Sequence, residues 1–193
     1  MDSMIVKTIR QFIVFVLTVI IFEKMNAKEP EVDYCDCVAE VTSIFLNQVY
    51  KEYGFECGAS GGRMPYDVEE ISVQLIANRS ATIDEARELE IILTEKFAQI
   101  INDHKKIRPF LREHPFPCSR ARVSIAFEKA NRKNSSKNDV VLVLHAKNRI
   151  YYHAKNPENP YVLKDIKDEP YEEAREIVYK NVAKRATKTK ETF

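Results

Sequence analysis

From Val68 to Asn78 apolar and polar residues alternate. Ile71, Val73, Leu75 and Ala77 fall on one side, Ser72, Gln74 and Asn78 on the other. That period predicts a strand with one buried face. Asn78-Arg79-Ser80 breaks it, and Thr82-Ile83-Asp84-Glu85 then reads as a capping box, with Asp84 and Glu85 suited to the positive end of a helix. The helix itself is written in Ala86, Leu89, Ile92, Leu93, Phe97, Ile100 and Ile101. Ile107-Arg108-Pro109-Phe110-Leu111 predicts a second, short helix with proline in its first turn, stopped at Pro115-Phe116-Pro117.

The flanking chain has the same two periods. Val38, Val41, Ile44, Phe45 and Val49 form a helical stripe ending before Gly54, which suits a left-handed cap. Arg122–Phe127 alternates, and Val140–Ala146 is a continuous apolar run, hence a central strand. Lys147-Asn148-Arg149 predicts a tight reversal into Ile150–Ala154, because Asn148 tolerates positive φ. Asn156–Pro160 is a turn, and Glu169–Lys184 is a last helix, with Pro170 at its start and Tyr171, Ala174, Ile177, Val178 and Val182 as its stripe. Two stretches read as loops: the Gly-rich Phe55–Tyr66 and the polar Ala130–Asp139. Tight turns make neighbouring strands antiparallel, whereas the first strand joins through a helical crossover. The expectation is an α+β fold: a mixed, mostly antiparallel sheet of about four strands with helices packed on one face.

The N-terminus adds an address. Lys7 and Arg10 precede the apolar run Phe12–Phe22, and Ala27 offers a small residue for cleavage. A basic start followed by roughly 7–15 apolar residues is the pattern of a secretory signal. If it is not cleaved, residues 9–22 become a membrane anchor. The predicted organisation is therefore 1–27 signal or anchor, 28–186 one α+β domain and 187–193 a basic tail. The 193-residue chain carries 30 basic against 29 acidic residues. Removing 1–27 takes three basic and two acidic residues and leaves 27 against 27. That balance argues against nucleic acid as a partner, which selects a clustered basic excess. A protein partner remains open, and no residue pattern calls for a cofactor.

An even set of four cysteines, Cys35, Cys37, Cys57 and Cys118, favours disulfides in an exported chain. Cys35 and Cys37 are too close to bridge each other at a helix start; Cys37–Cys57 with Cys35–Cys118 is one of three possible pairings. With one closely spaced pair only, the spacing supports no metal site. Gly58-Ala59-Ser60-Gly61-Gly62-Arg63 is the one backbone-amide candidate for an anion, with Gly58, Gly61, Gly62 and Arg63 as ligands. It lacks the Lys-Ser/Thr of a phosphate-binding loop. His114, four residues before Cys118 and beside Glu113, allows a nucleophilic thiol on paper, and Cys57 is a second thiol candidate. His145, inside an apolar strand, reads as a satisfied core histidine, and His104 as a favourable charge at a helix C-terminus. Arg108, Arg112, Arg120 and Arg122 make an anion patch unless acidic neighbours such as Glu113 neutralise them. Asn78-Arg79-Ser80 and Asn134-Ser135-Ser136 match the N-glycosylation acceptor.

Gly61-Gly62-Arg63-Met64-Pro65 with Asp67-Val68, then Asp84-Glu85-Ala86-Arg87, then Ile107-Arg108-Pro109-Phe110-Leu111 and Pro115-Phe116, resembles a group of small exported bacterial proteins of uncharacterised function. The resemblance covers residues 54–130. It implies a bacterial envelope, periplasmic or secreted setting and brings no catalytic residues. The functional expectation is a non-enzymatic binding or structural module or secreted factor. The alternative is a thiol- or His-dependent enzyme built from residues 57–63 and 114–118.

Overall fold

The structure, a computed structural model, describes residues 33–128, 139–159 and 161–190. The export segment 1–27, most of the loop 130–139 with Asn134, and the last three residues lie outside them. Among the described residues no helix is long and apolar enough to cross a membrane.

The fold is α+β. In chain order the elements are α1 (Tyr34–Tyr53), β1 (Glu56–Arg63), β2 (Glu70–Ala77), α2 (Ile83–Asp103), a 3-10 turn (Arg108–Phe110), β3 (Ala121–Phe127), β4 (Leu142–Ala146), β5 (Arg149–Lys155), β6 (Leu163–Pro170) and α3 (Tyr171–Lys190). The sheet has six strands rather than about four, in the order β1-β2-β3-β4-β5-β6. β2 and β3 are parallel, joined through α2, and every other pair is antiparallel.

Both extra strands are edges. β1 is the stretch read as a Gly-rich loop, and all eight of its residues are exposed. An edge strand of this kind is held by its ladder to β2 and not by a buried apolar row, so the alternation that betrays a half-buried strand is missing. β6 (LKDIKDEP) is hidden in the same way by its charges. α3 runs to Lys190, so residues 187–190 belong to a helix and not to a tail.

Elsewhere the pattern holds in the strands and caps, but Ile44 of α1 and Ile177 and Val182 of α3, placed in the helical stripes, are exposed. Thr82 and Glu85 form both halves of the capping box. Gly54 takes φ +69, and Lys147 and Asn148 take φ 51 and 58 in the β4–β5 reversal. Ile71, Val73, Leu75 and Ala77 of β2, Ala121, Val123, Ile125 and Phe127 of β3, Val143 and His145 of β4, and Ile150 and Tyr152 of β5 form the buried face. The helices pack there, with Phe45 of α1 against Phe97 of α2 at 4.5 Å between ring centres. α2 is thus enclosed by α1, the sheet and α3.

Enclosure on that scale buries polar residues too. Arg87 of α2 donates from Nε and Nη2 to Glu169 at 2.6 and 3.2 Å, and the Tyr152 hydroxyl donates to the same carboxylate at 2.5 Å. Lys167 adds an ion pair at 2.8 Å. Burial opposes ionisation of Glu169, but the bonds from Arg87, Lys167 and Tyr152 outweigh it and hold its pKa below the usual carboxylate value.

Candidate functional site

The C-terminal end of α2 is sewn to the segment that follows it. The Asn102 side-chain amide donates to the carbonyls of Ala98 and Phe116, both at 2.9 Å, and its oxygen accepts from the Phe116 amide at 2.6 Å. Arg108 caps the same helix end by donating to the Asn102 carbonyl. These bonds, with Phe116 buried between the prolines, fix Pro117-Cys118-Ser119 against the fold. On the other side, the Tyr171 amide donates to the Asn148 carbonyl at 2.9 Å and ties the start of α3 to the β4–β5 reversal.

Between these two fixed segments lies a cleft of about 660 Å³. Glu95, Cys118, His145, Asn148, Tyr171 and Arg175 supply its chemistry, and Pro117 and Pro170 contribute apolar wall. His145 and Tyr171 stack with ring centres 4.4 Å apart and planes tilted 21°. His145 is 2 % exposed and Tyr171 5 %. Neither ring nitrogen of His145 has a hydrogen-bond partner among the described residues, and the Tyr171 hydroxyl has only the Cys118 thiol. The Cys118 thiol is within reach of that hydroxyl, but a thiol is too weak a partner to satisfy it. Buried polar atoms in native proteins are nearly always paired, so three at one wall are a specific feature.

The electrostatics of the cleft keep its inner groups neutral. Burial, helped by the Arg122 charge, pushes His145 down to about 4. Burial pushes the Cys118 thiol up, with the Tyr171 bond opposing. Burial likewise raises the Tyr171 phenol, and the Cys118 thiol adds to the rise. The charged residues answer one another: Arg175 donates to Glu95 at 2.6 Å and lies 3.8 Å from Glu172, and the Tyr179 hydroxyl also donates to Glu95.

The residues singled out by sequence are distributed differently. Cys118 is in the cleft, but His114 is exposed, and no hydrogen bond among the described residues joins the two. Cys57 and Gly58–Arg63 lie on β1 and do not line the cleft, so residues 57–63 and 114–118 form no shared site. The Gly-rich stretch is no anion cradle. Its amides belong to an extended ladder and do not converge, and Arg63 pairs with Glu69 at 2.5 Å. Gly62 is needed because a Cβ there would run into the Glu70 carbonyl.

The expected disulfides are not formed: all four cysteines lie among the described residues and none is joined to another. Cys37 is buried under α1, Cys35 and Cys57 are exposed, and Cys118 faces Tyr171, so the four thiols occupy separate environments. Three of the four arginines of the patch are neutralised, while Arg108 donates to the Asn102 carbonyl. Arg112 pairs with Asp67 and Glu69 at 2.9 and 2.7 Å, Arg120 with Glu113 at 3.5 Å, and Arg122 with Glu70 at 3.1 Å. His104 sits 3.3 Å from Glu40. Among the described residues, no group of three His, Cys, Asp or Glu could hold a metal ion.

A second hollow of about 410 Å³ lies on the sheet, lined by Ser60, Ser72, Gln74, Arg122 and Ser124 among others. Gly61 and His145 line it as well, and its Arg122 is already paired with Glu70 and donates to the His145 carbonyl. Comparison with known protein families, with characterised proteins and with solved structures returns no match.

Proposed function

We propose that this protein is a non-enzymatic binding module whose ligand site is the cleft between α2, the 117–119 segment, the β4–β5 reversal and the start of α3. One observation carries the reading: a 660 Å³ cleft whose wall is built from Cys118, His145, Asn148 and Tyr171, with the unpartnered His145 nitrogens closed off behind it. An empty protein gains nothing from such groups, since each unmet buried hydrogen bond costs about 1–3 kcal/mol.

The same groups argue against thiol catalysis. A nucleophilic cysteine needs a thiolate, and burial disfavours it at Cys118. His145 has no carboxylate orienting its ring, as a general base in a nucleophilic triad would.

The test needs no knowledge of the ligand. His145→Phe keeps the stacking ring and removes both unmet nitrogens. The variant is expected to be more stable than the parent, by about 1–3 kcal/mol in chemical denaturation at pH 7. A loss of stability in this variant and in His145→Leu would show that the imidazole serves the fold, and would sink the reading.

Export of the domain belongs to the same proposal and is supported by Lys7, Arg10 and the run Phe12–Phe22. The resemblance over residues 54–130 points the same way, to a bacterial envelope. The intact mass of the natively expressed chain is expected to lack residues 1–27. A full-length mass in the soluble fraction removes this part.

A further inference from the structure

The two edges of the sheet are not alike. β6 is guarded: Lys164, Asp165, Lys167 and Asp168 stud it, and Pro170 ends it. Charges and proline on an edge keep other strands away. β1 has neither between Cys57 and Gly62. It ends the sheet, and among the described residues no further segment bridges to its outer side. We infer that two copies of this chain pair antiparallel through β1, with Glu56 of each copy opposite Arg63 of the other, across a two-fold axis at Ser60. β1 does not line the cleft, so the inference stands apart from the binding reading.

The bulge in β1 sets the register. A two-fold pairing needs each residue and its mate on the same face of the joined sheet. Arg63 is seven residues after Glu56, an odd spacing that puts the two on opposite faces of a regular strand. Gly58 is an extra residue between Cys57 and Ala59 in the ladder to β2, and it returns them to one face. Glu56 lies beside Ile76 and Arg63 beside Glu70, and both neighbours belong to the half-buried row of β2 that points away from the helices. With Gly58 left out, Ala59 meets Gly61 of the other copy, Cys57 meets Gly62, and Ser60 meets itself. Every such pair shares a face, because Ala59 and Gly61 lie beside Gln74 and Ser72, and Cys57 and Gly62 beside Leu75 and Ile71. On the helix side Cys57, Ser60 and Gly62 are exposed too, so the helix layer stops short of β1 and leaves room for another strand.

Charge selects the partner. Glu56 is exposed and has no ion pair among the described residues. The Arg63 side chain is 63 % exposed and meets Glu69 through one nitrogen, which leaves further guanidinium donors. The antiparallel register places an opposite-charge pair at each end of the seam. A parallel pairing would set Glu56 beside Glu56 and Arg63 beside Arg63, which repel. A strand from another protein would need the same two charges in the same order around a matching bulge. A second copy has them.

Sedimentation equilibrium of the natively expressed chain, over a roughly hundredfold range of concentration, is expected to show reversible dimers. Glu56→Arg alone and Arg63→Glu alone each set two like-charge pairs across the seam. Each is expected to weaken dimerisation about tenfold or more. Mixed in equal amounts, the two variants meet with opposite charges at both ends, so the mixture is expected to recover dimers made of one copy of each. Ser60→Lys brings two lysines together on the axis at an exposed position, and is expected to stay monomeric with the circular dichroism of the parent. A parent that is monomeric over the whole range overturns the inference and leaves the edge to a strand of another protein. Dimers that survive both Glu56→Arg and Ser60→Lys place the contact elsewhere and overturn it as well. So does a mixture that stays monomeric while both single variants keep the parent's circular dichroism. If Arg63→Glu loses its fold, Glu56→Arg and Ser60→Lys decide alone.

Discussion

Replacing Glu169 with alanine is expected to cost about 3–5 kcal/mol of unfolding free energy. The carboxylate is the single acceptor for two buried donors. Arg87, 5 % exposed, fills it with two guanidinium bonds, and the Tyr152 hydroxyl, wholly buried, adds a third. Removing the acceptor leaves a guanidinium inside the protein with only the solvent-facing Asp84 to answer it. Taking one partner from a buried pair strands the other charge, and that penalty exceeds the net worth of the pair. The comparison that isolates the cause is the triple replacement Arg87→Met, Tyr152→Phe and Glu169→Leu. It removes the polar network whole and is expected to lose far less than the single change, as measured by urea unfolding of both proteins at pH 7. Equal losses in the two would mean that the damage comes from packing and not from the abandoned charge.

That network was not legible in the sequence, for a physical reason. The stripe Ala86, Leu89, Ile92, Leu93, Phe97, Ile100 and Ile101 shows where α2 meets the core; the structure buries five of the seven, leaves Ile92 and Ile100 half-buried and buries Ile91 instead. It also buries Arg87, Glu90 and Thr94, because α3 closes over the flank that a two-layer reading leaves to solvent. Polar residues at 87, 90 and 94 lie along one helical row, and that row was the available signal. Edges hid for the opposite reason. β1 and β6 have almost no buried face, so their pairing partners, and not their own side chains, decide that they are strands. The interior strands, the capping box and the β4–β5 reversal were readable because each is fixed by local chemistry. Of the site, Cys118 and His145 were visible as residue types. Their meeting with Tyr171 and Glu95 depends on the joining of distant elements, and a single sequence carries no trace of it.

Above about pH 4.5 His145 and Glu90 pull the stability of the parent protein in opposite directions, and two single substitutions should tilt its pH profile in opposite directions. His145 titrates near 4 when folded, against an ordinary 6.5. Its folded value is depressed, so over that interval the unfolded chain binds more protons, and the stability it contributes is lost as pH falls from 6.5 towards 4. Glu90 does the reverse. It is fully buried, and burial raises its carboxyl well above the ordinary 4.5, with only the Thr94 hydroxyl opposing. The folded chain keeps a proton that the unfolded chain releases, so the stability linked to Glu90 is lost as pH rises from 4.5. Each slope reaches at most about 1.4 kcal/mol per pH unit, and the two oppose each other where they overlap. Glu85 and Glu169, whose folded values lie below the ordinary one, act on the acid side of this window. His145→Phe leaves Glu90 unopposed, so the variant should lose stability as pH rises across the window. Glu90→Gln leaves His145 unopposed, and that variant should gain stability over the same range. The double replacement should restore a flat profile. Urea unfolding at intervals across the window reads all four proteins. Two variants tilting the same way would show that burial does not hold the imidazole and the carboxyl neutral.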